Sequence, residues 1–219
     1  MIGFFKKRKK NFPDFWNRYE AQFEEKLPSD ISKVRFVVLD TETTGFDYET
    51  DRILSIGALS LCDNSIAVNQ SFEVFLDQYF YHPKNIEIHG IMQEEPKERI
   101  TEIEALMRFL KYIGNSVLVA HHAGFDIKMI NQALRRHGMP RLRNKVLDTS
   151  ILYKRSLIKS PLLVPQEQYT LDQLAEKFDI STKDRHTALG DAYITAIAFM
   201  KIVERLRQSK NLTLKKLWR

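Results

Sequence analysis

The sequence predicts one α/β domain, a mixed five-stranded sheet flanked by helices. Three observations carry that expectation. Phe36-Val37-Val38-Leu39 is apolar on both faces, as in a central strand covered on two sides. Three strand-like segments with short connections come first, followed by strands alternating with helices. Finally, Ala192–Met200 is apolar nearly all round, the pattern of a helix buried on most sides.

The elements follow in chain order. Phe12, Phe15, Trp16, Tyr19, Phe23 and Leu27 recur at helical spacing, so residues 11–28 read as an amphipathic helix ended by Pro28. After the central strand, a turn at Gly45-Phe46-Asp47 leads to a strand over Arg52–Cys62. Gln70–Leu76 is a third strand, completing an antiparallel meander. Ile103, Leu106, Met107, Leu110 and Ile113 form a helical stripe that Gly114 stops. Ser116–Ala120 reads as a strand, Asp126–His137 as a helix, and Lys145–Leu147 as the fifth strand, with Asp148 capping the next helix. Thr170–Phe178 and Ala188–Gln208 complete the set of helices.

Composition sets limits on class. With 219 residues, 43% of them hydrophobic, the chain can bury a full core without disulfide or structural metal. A single cysteine, Cys62, excludes an internal disulfide and fits a reducing compartment. No apolar run approaches the roughly 18 residues of a membrane span. MIGFFKKRKK has its short apolar stretch on the wrong side of its charges for a signal peptide, so the expected location is cytoplasmic. The net charge of +6 looks like that of a nucleic-acid binder. However, residues 1–10 hold five bases and residues 210–219 hold four, with no acid in either, which leaves residues 11–209 at −3. Within that body, Arg135, Arg136, Arg141, Arg143, Lys145, Lys154, Arg155 and Lys159 face one acid, Asp148. This patch reads either as phosphate contacts for an incoming strand or as a solvated surface.

The chemistry lies in the acids. In VLDTETTGF, Asp40 and Glu42 stand two apart on the central strand, so both carboxylates point to one side. Close carboxylates repel unless a cation intervenes, and hard oxygen ligands suit Mg²⁺ or Mn²⁺. An acidic strand end with no ligand is the plainer alternative. In VAHHAGFD, Asp126 opens a helix, where capping alone would explain it. In HTALGD, Asp191 lies on the first turn of an apolar helix, costly unless paired or bound to a cation, and His186 precedes it as a proton acceptor. His121 and His122 are adjacent on a predicted strand and so should point to opposite faces, which argues against zinc.

Taken together and in order, Asp40/Glu42, Asp126 and His186/Asp191 resemble the three motifs of the DEDD exonucleases, in the variant whose third motif carries histidine. The resemblance runs from about Val34 to Arg207. It extends to DTETTGF, RILSIGAL, the IHGI turn and YTLDQLAEKFDIS, and looks closest to the epsilon proofreading subunits of bacterial replicative DNA polymerases and their stand-alone relatives. It implies a ribonuclease H-like fold and two-metal phosphodiester hydrolysis releasing nucleoside 5′-monophosphates from a 3′ end. By motif, Asp40, Glu42 and Asp191 would ligate the metals, Asp126 would orient ligands through water, and His186 would take the proton of the attacking water. Thr43, Gly45 and Phe46, with His89 and Phe125, would shape the terminal nucleotide pocket, with core packing as the alternative for Phe46 and Phe125. The family commonly has Asn where His122 stands, which touches fine specificity rather than the reaction.

The expected substrate is a single-stranded or frayed DNA 3′ end, used in proofreading or repair. An RNA exonuclease with the same site is the alternative, and a non-catalytic nucleic-acid or polymerase-binding module is a third reading. The resemblance covers an expected exonuclease domain at 34–207. Residues 1–33 form a basic tip with an amphipathic helix, docked on the body or else bound to a partner or a membrane surface. Residues 208–219 form a short basic tail, expected to be solvated; Gln208–Leu212 has weak likeness to a clamp-binding peptide, and a polymerase subunit is the other partner considered.

Overall fold

The computed structural model describes residues 12–78, 98–157, 168–208 and 212–218. Its centre is a sheet built on β1 (Phe36–Thr43) and β2 (Ile53–Cys62), an antiparallel pair in which Asp40 lies opposite Gly57. Among the described residues the sheet has seven strands rather than the expected five, in the order β5-β4-β2-β1-β6-β7, with β3 on β2. The two additional strands, β3 (Ser65–Ile66) and β5 (Arg99–Ile100), are two-residue ladders. Neither is long enough to show a period of two in sequence. β3 is reached through Asp63 and Asn64, both at positive φ, the conformation of a tight hairpin turn.

β4 (Phe72–Leu76) completes the antiparallel meander, while β6 (Val117–Ala120) and β7 (Val146–Asp148) run parallel to β1. The sheet is therefore mixed, as predicted.

Alternation on β1 divides the core in two. Phe36 and Val38 face α5 (Leu171–Phe178) and α6 (Ala188–Gln208), where the rings of Phe36 and Phe199 meet at 5.1 Å. Val37 and Leu39 face α1 (Asp14–Ala21), α2 (Glu102–Ile113) and α3 (Gly124–Arg136). Capping follows local chemistry. Thr101 accepts from Glu104 N at the start of α2, and Gly114, at φ 49°, ends that helix. Thr170 and Gln173 form a reciprocal capping box on α5, and Asp148 caps α4 (Thr149–Ser156), as expected.

The N-terminal helix is shorter than the predicted 11–28. After Ala21 the chain makes one 3-10 turn at Gln22–Glu24 and is extended at Glu25. Pro28 disfavours helical backbone at the residue before it, so the apolar stripe outlasts the helix. Trp16 and Tyr19 are fully buried on the body, and the Tyr19 hydroxyl donates to Asn144 Oδ1 at 2.6 Å while accepting from Arg143 N at 2.8 Å.

Described residues 212–218 of the C-terminal segment dock on the body rather than standing wholly in solvent. Leu214 and Leu217 are buried in a 3-10 turn, and Trp218 Nε1 donates to Val146 O at 2.9 Å. Three cations of the basic patch serve these two attachments. Arg143 pairs with Glu20 and lies over Phe23, Lys145 lies over Trp218, and Arg155 donates to the carbonyls of Leu217 and Lys216. Arg136 is held by Glu102. Arg143, Lys145 and Arg155 thus fasten the chain's ends, while Arg135 and Arg141 are exposed; Lys159 lies outside the described residues. The basic N-terminal tip, Phe4-Phe5 included, also lies outside them.

Candidate active site

Even residues of β1 face α6, so Asp40 and Glu42 point towards the first turn of that helix, where Asp191 stands. Ligand oxygens of Asp40, Glu42 and Asp191 all lie within 4.8 Å of one another. Asp126 reaches the same place from the opposite face. Its Oδ1 accepts from Thr41 N at 3.0 Å and Thr41 Oγ1 at 2.7 Å, so it is bound to the strand between the two acids. It does not cap α3; the N-cap position is Ala123, whose N–H donates to Asp148 Oδ2 at 2.9 Å. A cavity of about 480 Å³ opens over the end of β1 and is lined by Asp40, Glu42, Asp126, Asp191 and His186.

Four of the five predicted nucleotide-pocket residues, Thr43, Gly45, Phe46 and Phe125, line this cavity. Phe46 is 85% exposed, which removes core packing as its explanation, and its ring lies 6.0 Å from that of half-buried Phe125. Thr43 Oγ1 donates to Gly45 O at 2.7 Å, fixing the turn that presents Phe46. His89 lies outside the described residues, as does the IHGI turn.

His121 and His122 do not diverge to opposite faces. β6 ends at Ala120, and His122 takes φ 55°, so the two rings come together at 4.4 Å, edge to face. The left-handed region at residue 122 suits Asn and His among non-glycine residues, which gives a backbone reason for finding either there. His121 Nδ1 bonds Thr149 Oγ1 at 2.8 Å. Burial, then neighbouring His122, holds His121 down at about 4, so it is neutral at neutral pH. Among the described residues no histidine joins the three-carboxylate group.

Four residues in the constellation had no role in the sequence reading. Arg185 donates through Nη1 to Asp191 Oδ2 and through Nε to Asp172 Oδ1, the latter at 2.6 Å. Thr41 anchors Asp126, as above. Gly57, opposite Asp40, has no room for a side chain, since a Cβ there would lie 2.2 Å from Leu189 N. This close approach seats the first turn of α6 against the sheet and brings Asp191 to the acids of β1. Thr41, Asp172 and Gly57 stood inside quoted motifs and Arg185 just outside one, and glycine within a strand was the one readable signal.

Residues 37–199 match the Exonuclease (RNase_T) family. The chain belongs to that family. The chain is 33% identical over 180 residues to DNA polymerase III PolC-type of Thermotoga petrophila, covering 82% of this chain and 13% of that protein. It is 30% identical over 182 residues to DNA polymerase III subunit epsilon of Aquifex aeolicus, covering 83% of this chain and 86% of that one. The chain thus spans a small part of the PolC-type relatives and most of the epsilon subunit. Among solved structures, E. coli exonuclease I with a dT13 oligonucleotide superposes at TM-score 0.67 and 16% identity, over 81% of this chain and 42% of that one. Cell-death related nuclease 4 superposes at TM-score 0.66 and 12% identity, over 79% and 64% respectively. These neighbours share the ribonuclease H-like fold. No helix among the described residues is long and apolar enough to cross a membrane.

Electrostatics in the acidic pocket follow from crowding. Burial pushes the Glu42 carboxyl up to about 7, with Asp191 adding to the rise and Arg185 opposing it. Burial takes Asp126 to about 7 against the hydrogen bonds from Thr41, and lifts Asp40 well above the carboxylate range, helped by Asp126, Asp191 and Glu42. Protons held by the folded site stabilise it below the ordinary carboxylate values, and that stability is lost as pH rises through about 7. His121 acts in the opposite direction over part of this range, as one group against several. We expect chelator-treated Glu42→Gln protein to melt roughly 2–5 °C above wild type at about pH 8. The gap should close near pH 4.5, the ordinary value for Glu42, as calorimetry across the range will show. At the rim, Phe46→Ala should raise KM for an oligonucleotide about fivefold or more, since base stacking is worth about 1–3 kcal/mol. Its Tm should be unchanged because the side chain is 85% exposed.

Proposed function

We propose that this exonuclease hydrolyses the 3′-terminal phosphodiester of single-stranded or frayed DNA, using divalent Mg²⁺ or Mn²⁺, and releases nucleoside 5′-monophosphates in proofreading or repair. The observation that carries this is the convergence of Asp40, Glu42 and Asp191 within 4.8 Å at the floor of a pocket whose rim presents Phe46 and Phe125. The DNA-directed reading rests on relatives named as DNA polymerase III chains and on a like fold seen with a DNA oligonucleotide.

The donor set fits a hard divalent cation: three carboxylates, no sulfur, and mutual repulsion that a cation would relieve. Asp40, Glu42 and Asp191 would hold it, with Asp126 orienting ligands from its anchored position beside Thr41. Bound there, divalent ions polarise the phosphoryl group and stabilise the leaving oxygen. The remaining work belongs to side chains. Phe46 and Phe125 stack the terminal base, and the Thr43–Gly45 turn lets backbone approach the sugar. His186 lies exposed at φ 66°, with its own N–H donating to Asp191 Oδ1 at 3.3 Å, so its imidazole stands beside the acids with freedom to accept a proton from water.

The test is degradation of matched DNA and RNA oligonucleotides with Mg²⁺, Mn²⁺ or chelator, with products identified by mass. DNA should be consumed to nucleoside 5′-monophosphates only with a divalent ion. Preferential loss of RNA, or 3′-phosphate products, would overturn the proposal.

A further inference from the structure

We propose that Arg185 is the resident counter-cation of the acidic cluster, and that Asp172 is the anchor to which it withdraws when a divalent ion takes Asp191. The inference rests on the metal-binding reading of Asp40, Glu42 and Asp191 given above.

The guanidinium is divided between two acids. Its Nε and Nη2 meet both oxygens of Asp172, at 2.6 and 3.3 Å, while Nη1 alone turns inward to Asp191 Oδ2. The two acids differ in setting. The Asp191 side chain is 7% exposed and that of Asp172 is 61% exposed, with Arg185 between them at 19%. Asp191 Oδ1 accepts from His186 N, so both oxygens of this carboxylate already serve donors of the chain. A divalent ion that ligates Asp191 is therefore brought against the Nη1 charge on the same carboxylate. Guanidinium and a divalent ion on one carboxylate repel, so ion binding favours withdrawal of Nη1.

The forked contact to Asp172 gives Arg185 somewhere to stay. Because Nε and Nη2 already span Asp172, losing the Asp191 contact leaves the arginine ion-paired and at the mouth of the pocket. Asp172 sits in the first turn of α5, so its carboxylate is also favoured where it is. Arg185 charge meanwhile lowers the repulsion among Asp40, Glu42 and Asp191, letting the chain fold with three acids gathered in one place. The same side chain thus steadies the site and raises the threshold for ion entry.

This arrangement demands opposite responses from two residues that touch each other. Mn²⁺ binding to the full chain is measured by calorimetry, above neutral pH, for wild type, Arg185→Gln and Asp172→Asn. Arg185→Gln removes the competitor and should tighten Mn²⁺ about three- to tenfold, whereas Asp172→Asn leaves Arg185 committed to Asp191 and should weaken it about two- to fivefold. In chelator, Arg185→Gln should melt below wild type and recover more on adding Mn²⁺; Arg185→Lys, with a charge but no fork, provides a second variant with a smaller tightening. If both residues merely support the fold, both changes weaken Mn²⁺, and that result overturns the proposal, as would unchanged affinity in both. Failure of wild type to bind Mn²⁺ at all would instead remove the metal reading on which it rests.

Discussion

Replacing Asp40 with Asn should lower the hydrolysis rate at least about a thousandfold, the loss expected when several kcal/mol of charge stabilisation disappear. Asp40 is the middle member of the cluster. It ends the buried run of β1, shares its face with Glu42, and lies close enough to Asp191 for one cation to touch all three. Asn keeps the shape and removes the charge. The folded protein should survive, because the carboxyl is pushed well above its ordinary range by burial and by Asp126, Asp191 and Glu42. A neutral group in its place relieves that repulsion, so Tm in chelator should equal or exceed that of wild type. Rates from gel-resolved degradation, paired with calorimetric melting, separate a damaged site from a damaged fold.

The second large effect is expected at a residue with no chemistry of its own. Gly57→Ala drives a Cβ to within 2.2 Å of Leu189 N and 2.3 Å of the Ala188 carbonyl carbon. Both are backbone atoms, so no rotamer change relieves the contact. Overpacking of this kind costs about 1–3 kcal/mol, which for a chain of this size corresponds to a Tm fall of about 3–10 °C. The displaced element is the first turn of α6, which carries Asp191, and a shift of about 1 Å in a catalytic group can cost a hundredfold. Activity should therefore fall about a hundredfold even at temperatures where the variant is fully folded. Ala58→Gly on the same strand, whose side chain lies on the other face with Val74 and Ile56, should lose stability with a far smaller loss of rate.

The contrast between these two positions shows what could be read from the chain. Asp40 and Glu42 were legible because strand alternation places acids two apart on one side, Asp191 because an acid beside an apolar helix face calls for a partner, and His186 through its place in the resembling third motif. The long elements were legible from their apolar pattern: α6 matches Ala188–Gln208 residue for residue. Gly57 stood in a quoted motif, yet its role depends on which helix crosses it, a tertiary fact. Arg185 was invisible because its partners, Asp172 and Asp191, come from two helices. The two-residue strands β3 and β5 lack any period. His121 and His122 misled because both lie beyond the strand, which ends at Ala120, and His122 turns left-handed, so strand alternation does not govern them. The basic patch was read by composition alone, whereas Arg143 and Arg155 are committed to α1 and the C-terminal turn.

The central claim is that these acids hold divalent ions and remove nucleotides one at a time from a 3′ end. The most direct test follows a single-stranded DNA oligonucleotide labelled at one end or the other, in Mn²⁺ and in chelator. The account predicts immediate release of the 3′ label as a mononucleotide, a 5′-labelled ladder shortening stepwise, and neither in chelator. Early release of the 5′ label, cleavage at internal positions first, or degradation undiminished by chelator would contradict it.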